Sequence, residues 1–194
     1  ISPTITGPNK KFSKIAISVA LGTRQQNVLD RPIYLSPLMF DGSETVIPDT
    51  NTSVTVTSPH AEGVELRIPA GVATFPGGSK VGKINMIEMD ANFTSIEPLE
   101  FAKPSRVIAL EPSGTTFTEP VELTLPNVNE LPPGIQVVVI SKNSLKGIWE
   151  IEELAKVSAD GNSIKTIPGG GITHFSEVYI SPIGPTVKQI GSQD

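Results

Sequence analysis

Apolar and polar residues alternate with a period of two along most of this chain, and a helical period is hard to find. "FSKIAISVAL" at 12–21 places Ile15, Ile17, Val19 and Leu21 on one face. "SVTVTS" at 53–58 sets Val54 and Val56 against Thr55 and Thr57. "GVELRIP" at 63–69 sets Val64, Leu66 and Ile68 against Glu65 and Arg67, and "PVELTLP" at 120–126 repeats the pattern with Val121, Leu123 and Leu125. Each predicts a strand with one wet and one dry face. "IQVVVIS" at 135–141 is apolar throughout and predicts a central strand covered on both faces. "GIWEIEEL" at 147–154 predicts a strand with Trp149 and Ile151 on one face and Glu150 and Glu152 on the other, joined to the previous strand by a hairpin link, "SKNSLKG". In "SADGNS" at 158–163, Asp160-Gly161 suits the positive φ angles of a tight hairpin. The one helical candidate is a short turn in "NVNELPPG", kept brief by its prolines. The pattern predicts an all-β fold, a β-sandwich of antiparallel strands.

Punctuation and composition divide the chain further. Residues 1–11, with two prolines, predict an N-terminal extended arm, and 183–194 a polar, turn-rich C-terminal tail. A change of pattern near Pro59-His60 divides a β subdomain at 12–60 from a denser one at 61–182. The 194 residues include 17 Gly and 18 Pro, the punctuation of many short strands and turns. Only 18% are charged, yet 38% are hydrophobic, enough for a core without staples. No cysteine is present, so disulfides and thiolate sites are excluded. The net charge of −5 and the lack of a basic stripe argue against nucleic acid as a partner. No apolar run approaches the roughly 20 residues of a membrane helix. The chain opens on Ile1 and not Met, as either a processed export product or an excised piece of a longer chain would.

From residue 63 the sequence carries more specific pieces: the "IPAG" turn, the run "LEPSGTTFTEPVELTLPN", and "HFS" near the end. Over about residues 63–181 these resemble the ZU-five domain of ankyrins, netrin receptors and death-domain adaptors, and related β domains of bacterial surface proteins. The resemblance implies a β-sandwich used for scaffolding and protein contact, without a cofactor. It also implies a candidate reaction. Some members of that family cut their own backbone between Phe and Ser of an HFS motif, which here is His174, Phe175 and Ser176. Ser176 Oγ would attack the Phe175 carbonyl carbon, the peptide would shift from nitrogen to oxygen, and water would hydrolyse the ester. His174 would take the serine proton or polarise a strained bond.

Strand geometry opposes that chemistry. In a regular strand His174 and Ser176 share a face but stand roughly 6.8 Å apart along the chain. A hydrogen bond needs about 3 Å, so a kink or bulge is required. "GGG" at 169–171 permits one, or is simply a turn. Val178 and Ile180 share the face of Ser176, which predicts a serine that points inward as part of the fold.

Other chemistry is sparse. The sequence has two histidines and no HExxH, CxxC or phosphate-binding loop; "FPGGSKVGK" lacks the P-loop spacing. Glu88 with Asp90, and Glu150 with Glu152, could face a cation, but no calcium-loop pattern accompanies them, and no metal or cofactor is expected. Asn51 and Asn92 begin glycosylation sequons. The expected function is a non-enzymatic structural or interaction protein, extracellular or at the cell surface. It would be a subunit of a fibre, sheath or surface assembly whose termini dock on neighbouring copies. The alternatives are an autoproteolytic module cutting between Phe175 and Ser176, and an adhesin. Carbohydrate binding would rest on Trp149, Tyr34 and Tyr179 alone.

Overall fold

The computed structural model describes residues 11–12, 23, 32–35, 37–38, 41–48, 51–94, 98–99, 102, 104–143 and 146–183. The strand expected at 12–21 and both expected arms fall almost wholly outside these residues. What is described is all-β and antiparallel. β1 (Lys11–Phe12) and β2 (Pro37–Leu38) form a small ribbon. Twelve further strands form one sheet: β3 (Thr45–Ile47), β4 (Val54–Thr57), β5 (Glu65–Ile68), β6 (Ala73–Thr74), β7 (Gly82–Met89), β8 (Val107–Glu111), β9 (Thr116–Pro126), β10 (Gln136–Asn143), β11 (Ile148–Val157), β12 (Ser163–Thr166), β13 (Ile172–His174) and β14 (Glu177–Pro182). Their order is β3-β7-β8-β14-β10-β11-β12-β9-β5-β4, with β6 and β13 both on β9. The end strands β3 and β4 are neighbours in the chain and in space, so the sheet nearly closes on itself. β4 and β5, on either side of Pro59-His60, pair with each other, and Ile47 and Val56 share one core with the later strands.

The doubly apolar run earns its place at the centre. β10 lies between β14 and β11. Its period of two sends Val137 and Val139 into the main core, with Leu66, Leu123 and Val178. Val138 and Ile140 go to the opposite face, into a smaller core with Trp149 and Tyr179. The Trp149 and Tyr179 rings meet edge to face, with centroids 4.9 Å apart.

Three local expectations change. "NVNELPPG" forms no helix. Asn127 closes it as a loop, its Nδ2 donating to the Leu131 and Gly161 carbonyls at 2.8 Å each while its Oδ1 accepts from the Leu131 amide. A 3-10 turn forms instead at Ala91–Phe93, where the Asp90 side chain caps the Asn92 amide. Second, β10 does not end at Ser141 but continues through Ser141 and Lys142, both buried, to Asn143. Third, β11 does not alternate throughout. Val139 faces Glu153 and Ile140 faces Ile151, so Glu152 is an extra residue, a β-bulge. Trp149 is core, Ile151 two residues on is exposed, and the Glu152 side chain at the bulge turns inward.

"GGG" is a close approach as well as a turn. Gly169 takes φ 82°, and a methyl group on Gly171 would overlap the Val121 carbonyl of β9. Gly171→Ala is therefore expected to cost about 1–3 kcal/mol through a displaced backbone. A urea titration matching that of the unsubstituted chain would contradict this packing.

Candidate functional site

The triplet sits where the chain changes partners. β13 ends at His174 on β9, and β14 begins at Glu177 between β8 and β10. Phe175 and Ser176 form the link, so the regular strand expected through the triplet is broken there. Backbone hydrogen bonds fix the break. The Phe175 amide donates to Thr115 O at 2.8 Å, and the Phe175 carbonyl accepts from the Gly114 amide at 3.1 Å. The Ser176 carbonyl accepts from the Leu110 amide at 2.9 Å. The turn Pro112-Ser113-Gly114, with Gly114 at φ 86°, supplies the second of these partners, and Leu110 and Thr115 flank it. Phe175 is wholly buried, its ring edge-on to Phe117 at 5.1 Å.

The two polar side chains of the triplet turn to different partners. His174 Nε2 donates to the Lys142 carbonyl at 3.3 Å. Its Nδ1 faces Glu152 Oε1 at 3.4 Å. The same carboxylate oxygen accepts from the Thr173 hydroxyl at 2.8 Å and from the Thr173 amide. The bulge is what aims Glu152 at β13, so its carboxylate ties β11 to a strand with which it shares no ladder. Ser176 is buried, and its Oγ donates to the Glu177 carbonyl at 3.1 Å. Among the described residues no hydrogen bond joins His174 to Ser176. The arrangement holds one element of acyl chemistry, the Gly114 amide on the Phe175 carbonyl, while the imidazole is engaged elsewhere.

Both polar side chains of the triplet thus end on the backbone of a second pair. Lys142 Nζ and Glu177 Oε1 lie 2.9 Å apart, from adjacent strands, with side chains 5% and 4% exposed. The sequence reading assigned Lys142 to a hairpin link and Glu177 to no role. The one available signal was an acidic residue directly after the triplet, on a strand otherwise bound for the core.

The Glu152 carboxylate raises the His174 pKa above its ordinary 6.5, with burial opposing. For Glu152 burial pushes upward, but hydrogen bonds from His174 and Thr173 together bring it below its ordinary 4.5. The histidine's stabilising contribution is full below pH 6.5 and fades as pH rises through its raised folded value. The glutamate's is full above pH 4.5 and fades as pH falls through its lowered one. The urea midpoint is expected to fall as pH climbs above 6.5, and His174→Gln should flatten that part of the profile. An unchanged slope in His174→Gln would show that the pair is not its source.

The other candidates have local partners. Glu88 bonds Arg106, Asp90 caps the 3-10 turn, and Glu150 bonds Lys146 and Asn143. His60 pairs with Asp41 at 2.7 Å, on another part of the molecule from His174. Among the described residues no group of three or more His, Asp or Glu is placed to hold a metal ion. Among them, too, no helix is long and apolar enough to cross a membrane. Trp149 and Tyr179 are core residues, and Tyr34 is half-buried with its ring against Phe93, so the surface for sugar stacking that the adhesin reading needs is not offered by the first two. Asn51 and Asn92 are both exposed. No protein-family model matches the chain, and no curated protein matches it.

Proposed function

We propose that this chain is a non-enzymatic structural protein of the cell exterior, a ZU-five-like β domain that joins copies of itself by strand addition. The observation that carries this is the edge at β3. Among the described residues β3 pairs only with β7, and its Val46 is 53% exposed. A short edge with an outward valine and no charge of its own is a template for another chain, not a guarded edge. The occupant is residues 1–11 of a second copy, whose "SPTITGP" is extended in character and would lay a strand along it. The low charge content supports an assembly role.

In this reading the HFS triplet serves the fold. It closes the passage from β13 to β14, plugs the core with Phe175, and braces the backbones of Lys142 and Glu177. The test is assembly measured by sedimentation velocity and electron microscopy. Deleting residues 1–11, or Val46→Lys, should abolish assembly while leaving the β spectrum by circular dichroism intact. Unimpaired assembly in both variants would sink the proposal.

One contact favours a second reading. The Gly114 amide on the Phe175 carbonyl would stabilise the oxyanion of a serine attack at that bond. Under that reading the purified chain falls into two fragments on denaturation, and Ser176→Ala keeps it whole.

A further inference from the structure

The Lys142–Glu177 pair invites more than an ion pair. We propose that Lys142 and Glu177 are a site of covalent modification within the chain, at which the lysine amine and the glutamate carboxyl condense to a side-chain amide joining β10 to β14. Four observations carry this. The reacting groups are in hydrogen-bond contact, at 2.9 Å from Nζ to Oε1. Oε1 is bonded to Cδ, so the nitrogen sits one bond beyond contact with the carbon it would attack, fixed rather than diffusing.

Both side chains are almost wholly withdrawn from water. There the condensation would replace a buried ion pair with one neutral amide, so the dry site favours the product. The pair borders the smaller core. In the ladder Lys142 stands opposite Trp149, and Tyr179 follows two residues after Glu177 on the same face. Finally, both backbones are braced, the Lys142 carbonyl by the His174 imidazole and the Glu177 carbonyl by the Ser176 hydroxyl. These two are positioning residues; neither touches the reacting atoms.

The step balances without an oxidant or co-substrate. Nζ forms a bond to Cδ, and the ammonium gives up two protons. The bond from Cδ to one carboxylate oxygen breaks, and that oxygen departs with both protons as one water. No electrons are exchanged. The product is a neutral amide in a dry site, where hydrolysis lacks its water. Its consequence is mechanical. The bond would lock β14 into the middle of the sheet in a chain that has no cysteine to supply a disulfide.

The test is mass spectrometry of the purified, denatured chain, followed by tryptic mapping. The chain should be one water lighter than its sequence. Trypsin should fail to cut after Lys142, and the peptides holding Lys142 and Glu177 should leave as one linked species. Lys142→Arg keeps the positive charge but lacks the nucleophilic amine, so it should show the full sequence mass. Should that variant not fold, the map of the unsubstituted chain decides alone. Full sequence mass with free cutting after Lys142, or a missing water mapped elsewhere, overturns the proposal. Fragments ending at Phe175 report on self-cleavage and leave the linked peptide to be scored separately.

Discussion

Lys142→Met is expected to lower the unfolding free energy by about 3–5 kcal/mol, because it removes the ammonium that lies 2.9 Å from the buried Glu177 carboxylate. The pair is 5% and 4% exposed, so water cannot take the place of the missing partner. The double variant Lys142→Met/Glu177→Leu should recover much of the loss, since two apolar side chains of similar volume suit a buried site better than a carboxylate that has lost its ammonium contact. A covalent bond between the two residues would deepen the loss in the single variant. The exposed pair Lys146–Glu150 supplies the contrast: with side chains 61% and 37% exposed, its removal should shift the denaturant midpoint little. Equal effects at the two sites would show that burial is not what makes the first pair matter.

Phe175→Ala is expected to cost a comparable amount, about 3–5 kcal/mol. The ring is fully buried, on the link between β13 and β14, and stacks edge-on against Phe117 of β9. Its removal opens a cavity where the two ladders meet. Ser176→Ala removes one hydrogen bond, to the Glu177 carbonyl, and should cost about 1 kcal/mol. The ratio is informative. A triplet that serves packing is most sensitive at its phenylalanine. A triplet that serves chemistry is most sensitive at its serine, in the yield of fragments. Denaturant titrations of both variants measure the first sensitivity directly.

Much of the sheet was legible because one physical rule wrote it. Where a strand has one wet face, as at Thr55 and Arg67, alternation shows in the residues themselves, and β4, β5 and the second half of β9 appear where the pattern puts them. The unbroken apolar run of β10 was legible for the complementary reason, a core on each face. The turn at Asp160-Gly161 was legible through Gly161, which takes φ 77°; Asp160 does not share the positive φ expected of the pair.

The rest depended on partners distant in sequence. The bulge at Glu152 leaves no mark in "IWEIEEL", since the partners it meets, Thr173 and His174, arrive from β13. Lys142 read as the start of a hairpin because a lysine at a strand end is ordinarily solvated. Its burial follows from Glu177, 35 positions away in the chain. The candidate site was therefore half visible. The triplet could be found by its letters, but the residues that give it physical meaning could be found only by folding.

The central claim is that His174, Phe175 and Ser176 hold the molecule together and do not cut it. The most direct test is the denatured intact mass of the purified chain after prolonged incubation. One unbroken species near 20.6 kDa is the predicted result. Two fragments that divide between Phe175 and Ser176, and that disappear in Ser176→Ala, would contradict it.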